Sequence, residues 1–581
     1  MARVTTSDPV TAGLSAAFRR LARIAVFSGI INLLTLSGSI YMMQVYDRVI
    51  PGRNLATLAA LSVMVLLAYL LQGCLDAMRS RMLARLGAMF DVHLQKWLFV
   101  ALTSLPLQGA SAAAVHQPLR DLEQVRNFLT GPGPVAFLDM PWIPLFLVIL
   151  FLFHPLIGLV AMFGATAIVL LTLWSERRTA SSARQASAWS TQRQVFAEAT
   201  RRNADVIRAM GMSERLSVRW AGFNDGAIVE NLRVMDVHAN LGSVAKVTRQ
   251  ILQSLVLGVG AYLVVNDQAS GGIMIASSII MGRALAPIEV ALGTWRQLDA
   301  ARRGIERLRQ VLRQLPEHVD AAPAVARPGR SLRVAGLSVA APGTDRVIMT
   351  DISFELAAGT GLALIGPSGS GKTSLAKALV SIWPPAQGQV RLDGVALSDW
   401  NNSDLGRYLG YLPQDVALFE GTIAENIARF DDNAPFAAIA EAAMMAGAHE
   451  TIMALPQRYE TVLGEGGLTL SAGQRQRVGL ARAVFGNPFL VVLDEPNANL
   501  DQLGEQALNN CLRVLKSRGA IVIVISHRPM VLQAVDKVMV VVGGRMRAFG
   551  THREVATALR PPMATPTPPP SGRRSTVALG A

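Results

Sequence analysis

The segment Gly366-Pro367-Ser368-Gly369-Ser370-Gly371-Lys372-Thr373, followed by Ser374, fits the pattern G-x-x-x-x-G-K-[ST]. Three glycines permit a tight loop whose backbone N–H groups converge on phosphate oxygens. Lys372 then reaches the β and γ phosphates, and Thr373 offers a hydroxyl to Mg²⁺. A second piece is Phe489-Leu490-Val491-Val492-Leu493-Asp494-Glu495, an apolar run ending in two carboxylates. Acidic residues often end strands for no catalytic reason. Beside a phosphate loop, however, Asp494 is expected to hold Mg²⁺, usually through water, and Glu495 to polarise an attacking water.

Such a loop works only between a strand and a helix. Leu362-Ala363-Leu364-Ile365 reads as a buried strand, and the Ala- and Leu-rich segment after Thr373 as a helix. Upstream, SLRVAGLSV and RVIMTDISFEL alternate as short strands, and IVIVI at 521–525 is another. These elements place an α/β P-loop domain over 331–560. Residues 316–330 are Pro- and Ala-rich without apolar periodicity and read as a linker. Residues 561–581 are rich in Pro, Thr and Ser and are expected to be disordered.

The other half of the chain is apolar. Of 581 residues, 51% are hydrophobic and only 17% charged, against a usual charged share of about 25%. Residues 24–46 and 54–75 carry no charge, and 140–175 is an uncharged run long enough for two spans, with His154-Pro155 at the turn. The runs 250–266 and 271–292 make the last pair, so 21–315 is expected to be an all-α domain of six spans in three hairpins. Residues 1–20 precede it as a short cytoplasmic segment without the apolar core of a signal peptide.

Arginines fix the orientation. Arg19, Arg20 and Arg23 precede span one, Arg79, Arg81 and Arg85 follow span two, and Arg177, Arg178 and Arg184 follow span four. Arg296, Arg302 and Arg303 follow span six, and all of these belong on the cytoplasmic side. The long segments 76–139 and 176–249 are then cytoplasmic extensions of the spans, with turns expected near Leu119–Phe128 and Ser213–Trp220. Span six contains Arg283, Pro287 and Glu289. Charges there either line a water-filled cavity that meets cargo, or mark where the span leaves the membrane with Arg283 snorkelling. The net charge of +14 reflects the same bias, because no basic stripe interleaved with aromatics points to nucleic acid. The two cysteines, Cys74 and Cys511, form no disulfide framework.

Leu470-Ser471-Ala472-Gly473-Gln474 resembles the ABC signature, which separates ABC ATPases from other P-loop enzymes. The other landmarks follow in order. Gln414 in YLPQD resembles the Q-loop, Asn499-Leu500-Asp501 the D-loop, and His527 in VISHRP the switch histidine. The resemblance implies two ATPase domains meeting head to tail, with each ATP between the P-loop of one chain and Ser471, Gly473 and Gln474 of the other. Glu495 is then the general base, Gln414 and His527 sense γ-phosphate and metal (Gln414 joining Thr373 and Asp494 around Mg²⁺), and Asp501 couples the sites. One landmark departs: ABC domains usually stack adenine on an aromatic residue, and Ala341 stands at that position here. Base stacking is worth about 1–3 kcal/mol, so looser base recognition is expected.

A membrane domain followed by an ATPase domain resembles the ABC exporters. The stretches INLLTLSGSIYMMQVYDRVIPGRN, LRDLEQVRNFLTG, FLDMPWIPLFLVILFLFHP, GGIMIASSIIMGRALAPIE and LDEPNANLD resemble type I secretion ATPases that export proteases and lipases, over about Ile31 to His552. That implies a homodimer in the bacterial inner membrane with its ATPase domains in the cytoplasm. It further implies a periplasmic adaptor, an outer-membrane channel and an unfolded protein cargo with a C-terminal signal. An exporter of lipid or drug is the alternative on the same scaffold, and a soluble nucleic-acid-linked ABC ATPase is an alternative of another class, opposed by the six spans.

Overall fold

The computed structural model describes residues 9–314 and 326–559, apart from positions 345, 465, 466 and 468. The C-terminal tail at 561–581, most of the linker and residues 1–8 lie outside the described residues. The chain divides into two compact units, Met1–Pro316 and Glu317–Ala581.

The first unit is helical. Its main helices are α1 (Pro9–Gln44), α2 (Leu55–Ser104), α3 (Ala112–Thr130), α4 (Gly133–Asp139), α5 (Ile143–Phe153), α6 (Pro155–Arg202), α7 (Ala204–Ala209), α8 (Ser213–Val265) and α9 (Gly271–Gln314). Six stretches among the described residues are long and apolar enough to cross a membrane. The hairpin ends follow local chemistry. Arg53 takes a left-handed φ of 49°, and Asn54 then caps α2 by accepting from Thr57 N at 3.1 Å. His154 is extended and caps α6, with Pro155 at the first helical position, where its missing N–H costs nothing. Asp47 reaches from a π-helical turn at Val45–Val49 to cap the last span, accepting from Ser270 Oγ at 2.7 Å and Gly272 N at 2.8 Å.

At about 1.5 Å per residue, the 50 residues of α2 far exceed a bilayer and continue as an extension of the span, as do α6 and α8. The turns, however, lie earlier than expected. Leu119–Phe128 is inside α3, and Ser213–Trp220 opens α8. The chain instead turns at Leu105–Ser111 and Asn203–Met212, where Gly109 (φ 81°) and Gly211 (φ 62°) take left-handed conformations that stop a helix. Leu122, Val125 and Leu129 recur at helical spacing on α3 and bury in one cluster with Leu94, Leu98 and Leu308.

Several charged groups inside this unit are paired. Arg79 on α2 is buried and donates to Asp76 at 2.6 Å, to Asp139 on α4 at 3.1 Å and to Ser28 Oγ on α1 at 3.0 Å. Asn32 adds a bond to Asp139 at 2.7 Å. In α9, Arg283 is exposed, whereas Glu289 forms an ion pair with Arg249 of α8 at 3.1 Å.

The second unit contains two main sheets. β1 (Ser331–Ala340), β2 (Val347–Ala357), β4 (Gln387–Leu392) and β5 (Val395–Ala396) form an antiparallel sheet in the order β2-β1-β4-β5. The larger sheet contains β3 (Gly361–Ile365), β6 (Leu409–Leu412), β9 (Leu490–Asp494), β10 (Ile521–Ile525), β11 (Lys537–Val542) and β12 (Arg545–Thr551), in the order β12-β11-β3-β10-β9-β6. A small pair, β7 (Gly421–Thr422) and β8 (Val462–Leu463), completes the strands. β3, β9 and β10 are almost wholly buried, as their unbroken apolar runs require of parallel strands covered on both faces. Helices α10 (Lys372–Leu379), α11 (Ala472–Val484) and α12 (Gln502–Ser517) flank the sheets. The two larger of three apolar clusters among the described residues of this unit matter here. One holds β1, β2 and α10; the other holds α11, α12 and the helix Phe436–Met445.

Candidate functional site

Strand order gathers the sequence-derived residues at one edge. β3, β10, β9 and β6 are parallel neighbours, with Leu364 beside Ile525, Ile525 beside Asp494, and Leu412 beside Leu493. Their carboxyl ends therefore deliver the Gly366–Thr373 loop, His527, Asp494-Glu495 and Gln414 to the same side of the sheet. In open α/β sheets that is where ligands bind.

The loop needs its glycines. Gly366 has φ 154°, and a Cβ there would meet the Val541 carbonyl oxygen at 2.0 Å. Gly371 has φ 97° and immediately precedes α10. Lys372 is buried, and its ammonium donates to the carbonyls of Gly366 at 2.7 Å and Pro367 at 2.9 Å, bracing the loop from within. Pro367, Ser368 and Gly369 are exposed on its crest, while Ser370 and Ser374 are buried beneath it.

Asp494 is fully buried, and neither carboxylate oxygen has a hydrogen-bond partner. Burial pushes its pKa above the usual aspartate range and the Glu495 charge adds to this, while the Thr373 hydroxyl, Lys377 and Lys372 pull the other way. Burial and the Asp494 charge together push the neighbouring Tyr411 phenol up to about 12. An unpartnered buried carboxylate beside the Thr373 hydroxyl offers hard oxygen donors of the kind a divalent cation takes, once phosphate oxygens complete the set. Among the described residues no group of three or more His, Cys, Asp or Glu could hold a metal unaided.

Glu495 has φ 49°, a left-handed conformation uncommon for a residue with a side chain. Its amide donates to Ile525 O at 3.0 Å, and Gln414 Nε2 donates to its carboxylate at 3.3 Å. Gln476 of α11 adds a bond from its amide to Pro496 O at 3.1 Å. Sequence reasoning missed Gln476, yet a signal was there: it shares the buried face of α11 with Leu480, Ala483 and Val484. It also missed the buried Ser526 Oγ bond to Asn497 at 2.9 Å, which ties the end of β10 to the loop after Glu495. His527 is exposed just beyond it.

Ser471 caps α11. Its hydroxyl accepts from Gln474 N at 3.3 Å, and Gln474 Oε1 accepts from Ser471 N at 2.8 Å, a reciprocal capping box. Gly473 lies so close to Asn499 that a Cβ would meet its carbonyl oxygen at 2.8 Å. Asp501 caps α12 through Gly504 N at 2.8 Å and pairs with Arg477 at 2.5 Å; the Gly504 amide first, then Arg477, holds its carboxyl below the usual range. Among the described residues, no hydrogen bond or ion pair joins Ser471, Gly473 or Gln474 to the Gly366–Thr373 loop of the same chain. Ala341 closes the turn between β1 and β2, its carbonyl accepting from Thr344 N at 3.1 Å, and the aliphatic Ile348 and Met349 lie against Gly371.

Residues 349–498 match the family model for the ABC transporter, and residues 22–285 that for the ABC transporter transmembrane region. A solved bacterial Atm1-family ABC exporter with ATP bound shares the fold, with a TM-score of 0.79 at 24% identity, covering 94% of this chain and 96% of that one. The alpha-hemolysin translocation ATP-binding protein HlyB of Escherichia coli O157:H7 is 27% identical over 92% of this chain and 76% of its own. The type I secretion system ATP-binding protein PrsD of Rhizobium meliloti is 48% identical over 93% of this chain and 92% of its own. Likeness at that level across both units means that the chain belongs to the type I secretion system ATP-binding proteins: it is a multi-pass ABC transporter that binds and hydrolyses ATP.

Proposed function

We propose that this chain is a homodimeric exporter in the bacterial inner membrane, with its ATPase domains in the cytoplasm. It moves an unfolded protein bearing a C-terminal signal into a periplasmic adaptor and an outer-membrane channel. The observation that carries the cargo class is the 48% identity to a type I secretion protein, which spans both units.

In the ATPase cycle the Gly366–Thr373 backbone and Lys372 hold the phosphates. Thr373, Asp494 and Gln414 are the residues that would hold Mg²⁺, which when bound supplies positive charge to the phosphate oxygens. The unpartnered oxygens of Asp494 support that assignment. Glu495 takes the proton of the water that attacks the γ-phosphate, oriented by Gln414, while His527 faces the phosphate from the end of β10. Ser471, Gly473 and Gln474 of the second chain close over the nucleotide, and Asp501 links the two sites.

Reconstitution tests the cargo reading. The chain, its adaptor and its channel are expressed together in a host lacking all three, with a candidate cargo encoded beside them. The cargo is expected in the medium, and deleting its last few dozen residues is expected to stop it. Secretion that survives the deletion sinks C-terminal recognition. Lipid movement by the purified chain, with an unchanged secretome when it is lost, sinks protein export.

A further inference from the structure

Four of the arginines that lie outside the ATPase cycle and the ion pairs of the helical unit converge on one place. Arg19, Arg20 and Arg23 of α1 and Arg85 of α2 line one cleft of about 460 Å³, floored by the buried Ile24 and Leu86. All four are exposed, and among the described residues none has a carboxylate in ion-pair range. The nearest acidic residues along α2 are committed elsewhere, Asp76 to Arg79 and Asp91 to Arg126. The Arg20 guanidinium lies against the Met89 sulfur. Four like charges converging from two helices, with no counter-charge among the described residues, make an anion site.

Its height and the helix face above it say which anion. The uncharged run of α1 starts at Ile24, so Arg19 and Arg23 lie about 1.5 to 7.5 Å outside it at 1.5 Å per residue. That is the depth of the headgroup zone, about 5–8 Å on each side of the hydrocarbon. The bond from Arg79 to Ser28 sets α1 and α2 antiparallel at this end, which brings Arg85 to the same level. Above Arg23, the exposed residues Val26, Ile30 and Leu33 continue its face of the helix at spacings of three and four, up into the apolar span. Cations at the base of an exposed apolar track match a phosphodiester headgroup with its acyl chain, and an acidic peptide would have no use for the track.

We propose that this cleft binds an anionic phospholipid of the leaflet at the arginine-bearing end of the spans. The phosphodiester sits among Arg19, Arg20, Arg23 and Arg85, and an acyl chain runs along Val26, Ile30 and Leu33. The shared chemistry is a phosphate, so the test separates lipid from free anion.

The full-length protein is reconstituted in nanodiscs of phosphatidylethanolamine with phosphatidylglycerol, and retained lipids are read by native mass spectrometry. Phosphatidylglycerol is expected to be enriched on the wild type. Each arginine near an anionic surface is worth about a fivefold preference, so Arg23→Gln with Arg85→Gln is expected to cut enrichment by roughly tenfold or more. Arg215→Gln with Arg219→Gln, which removes equal charge from α8, is expected to leave it unchanged. Arg23→Lys with Arg85→Lys is expected to keep most of it, which separates charge from fold. Equal enrichment in the wild type and the Gln cleft variant overturns the site, as does an equal loss in the α8 control. Displacement of the lipid by inorganic phosphate makes it a free-anion site, and displacement by an acidic peptide makes it a protein site; either result overturns the lipid assignment.

Discussion

Glu495 sits in a backbone region that costs a residue with a side chain about 1–3 kcal/mol, and the bonds from Gln414 and Gln476 hold it there. Such strain is worth keeping if it aims the carboxylate. Glu495→Gln retains an oxygen for Gln414 but cannot accept a proton. Turnover is expected to fall by about 10²- to 10⁴-fold, the usual worth of a general base, with ATP binding retained. Lys372→Ala is expected to differ by weakening binding itself. Steady-state ATPase rates beside nucleotide titrations check both, and near-normal hydrolysis by the Gln variant rejects the assignment. Asp494 carries a pH prediction. Because its folded pKa is raised, its contribution to stability is full below the ordinary aspartate value of about 3.9 and is lost as pH rises through the folded value. Above its folded value the ionised carboxylate therefore works against the nucleotide-free fold. Asp494→Asn is expected to raise the melting temperature without ligand at neutral pH, with the gain vanishing towards acid. The same variant is expected to lose the extra stabilisation given by Mg²⁺ with ATP. A lower ligand-free melting temperature at neutral pH rejects this account.

The elements that carry these residues were legible where the signal is local. The strands β3, β9 and β10 announce themselves as unbroken apolar runs, and the Ser471 capping box is written in two residues three apart. The turns at Leu105–Ser111 and Asn203–Met212 were misplaced because long Ala- and Arg-rich helices look alike along their length; only the left-handed Gly109 and Gly211 mark the breaks. The distant partner of Arg79 was not legible at all. Asp139 lies 60 residues away, and nothing local links the two. That pair pins α1, α2 and α4 together, and Arg79 Nε still lacks a hydrogen-bond partner. Arg79→Ala removes one side of a buried pair and leaves Asp139 uncompensated, at an expected cost of about 3–5 kcal/mol. Arg79→Met with Asp139→Leu is expected to recover much of that loss, since no charge is then buried alone. Thermal unfolding of the detergent-solubilised variants decides, and an unchanged single variant means that the network contributes nothing to stability.

At the scale of the whole molecule, the ATPase unit is built as two halves that do not complete each other. The Gly366–Thr373 loop rests on the core of β1, β2 and α10, whereas Ser471 opens a helix whose core is separate. Ser471 is exposed at the N-terminus of the 13-residue α11, where backbone N–H groups favour an anion, and no hydrogen bond or ion pair among the described residues ties it to the phosphate loop of its own chain. In the proposed homodimer, a second copy meeting head to tail would bring that terminus to the γ-phosphate, so each active site is expected to be shared. Mixing Lys372→Ala chains with Ser471→Arg chains tests this directly. A heterodimer then holds one site with both lesions and one intact site, and ATPase activity is expected where neither parent has any. Because an inactive mixture also results if both sites must fire together, crosslinking supplies the second arm. Cysteines at Ser368 and Ser471 are introduced after Cys74→Ser, since Cys74 is exposed and Cys511 is buried. A disulfide forms only when the two Cα atoms come within about 7 Å. An ATP-dependent bond between chains is expected; bonding only within one chain, or no bond with ATP present, rejects the shared site.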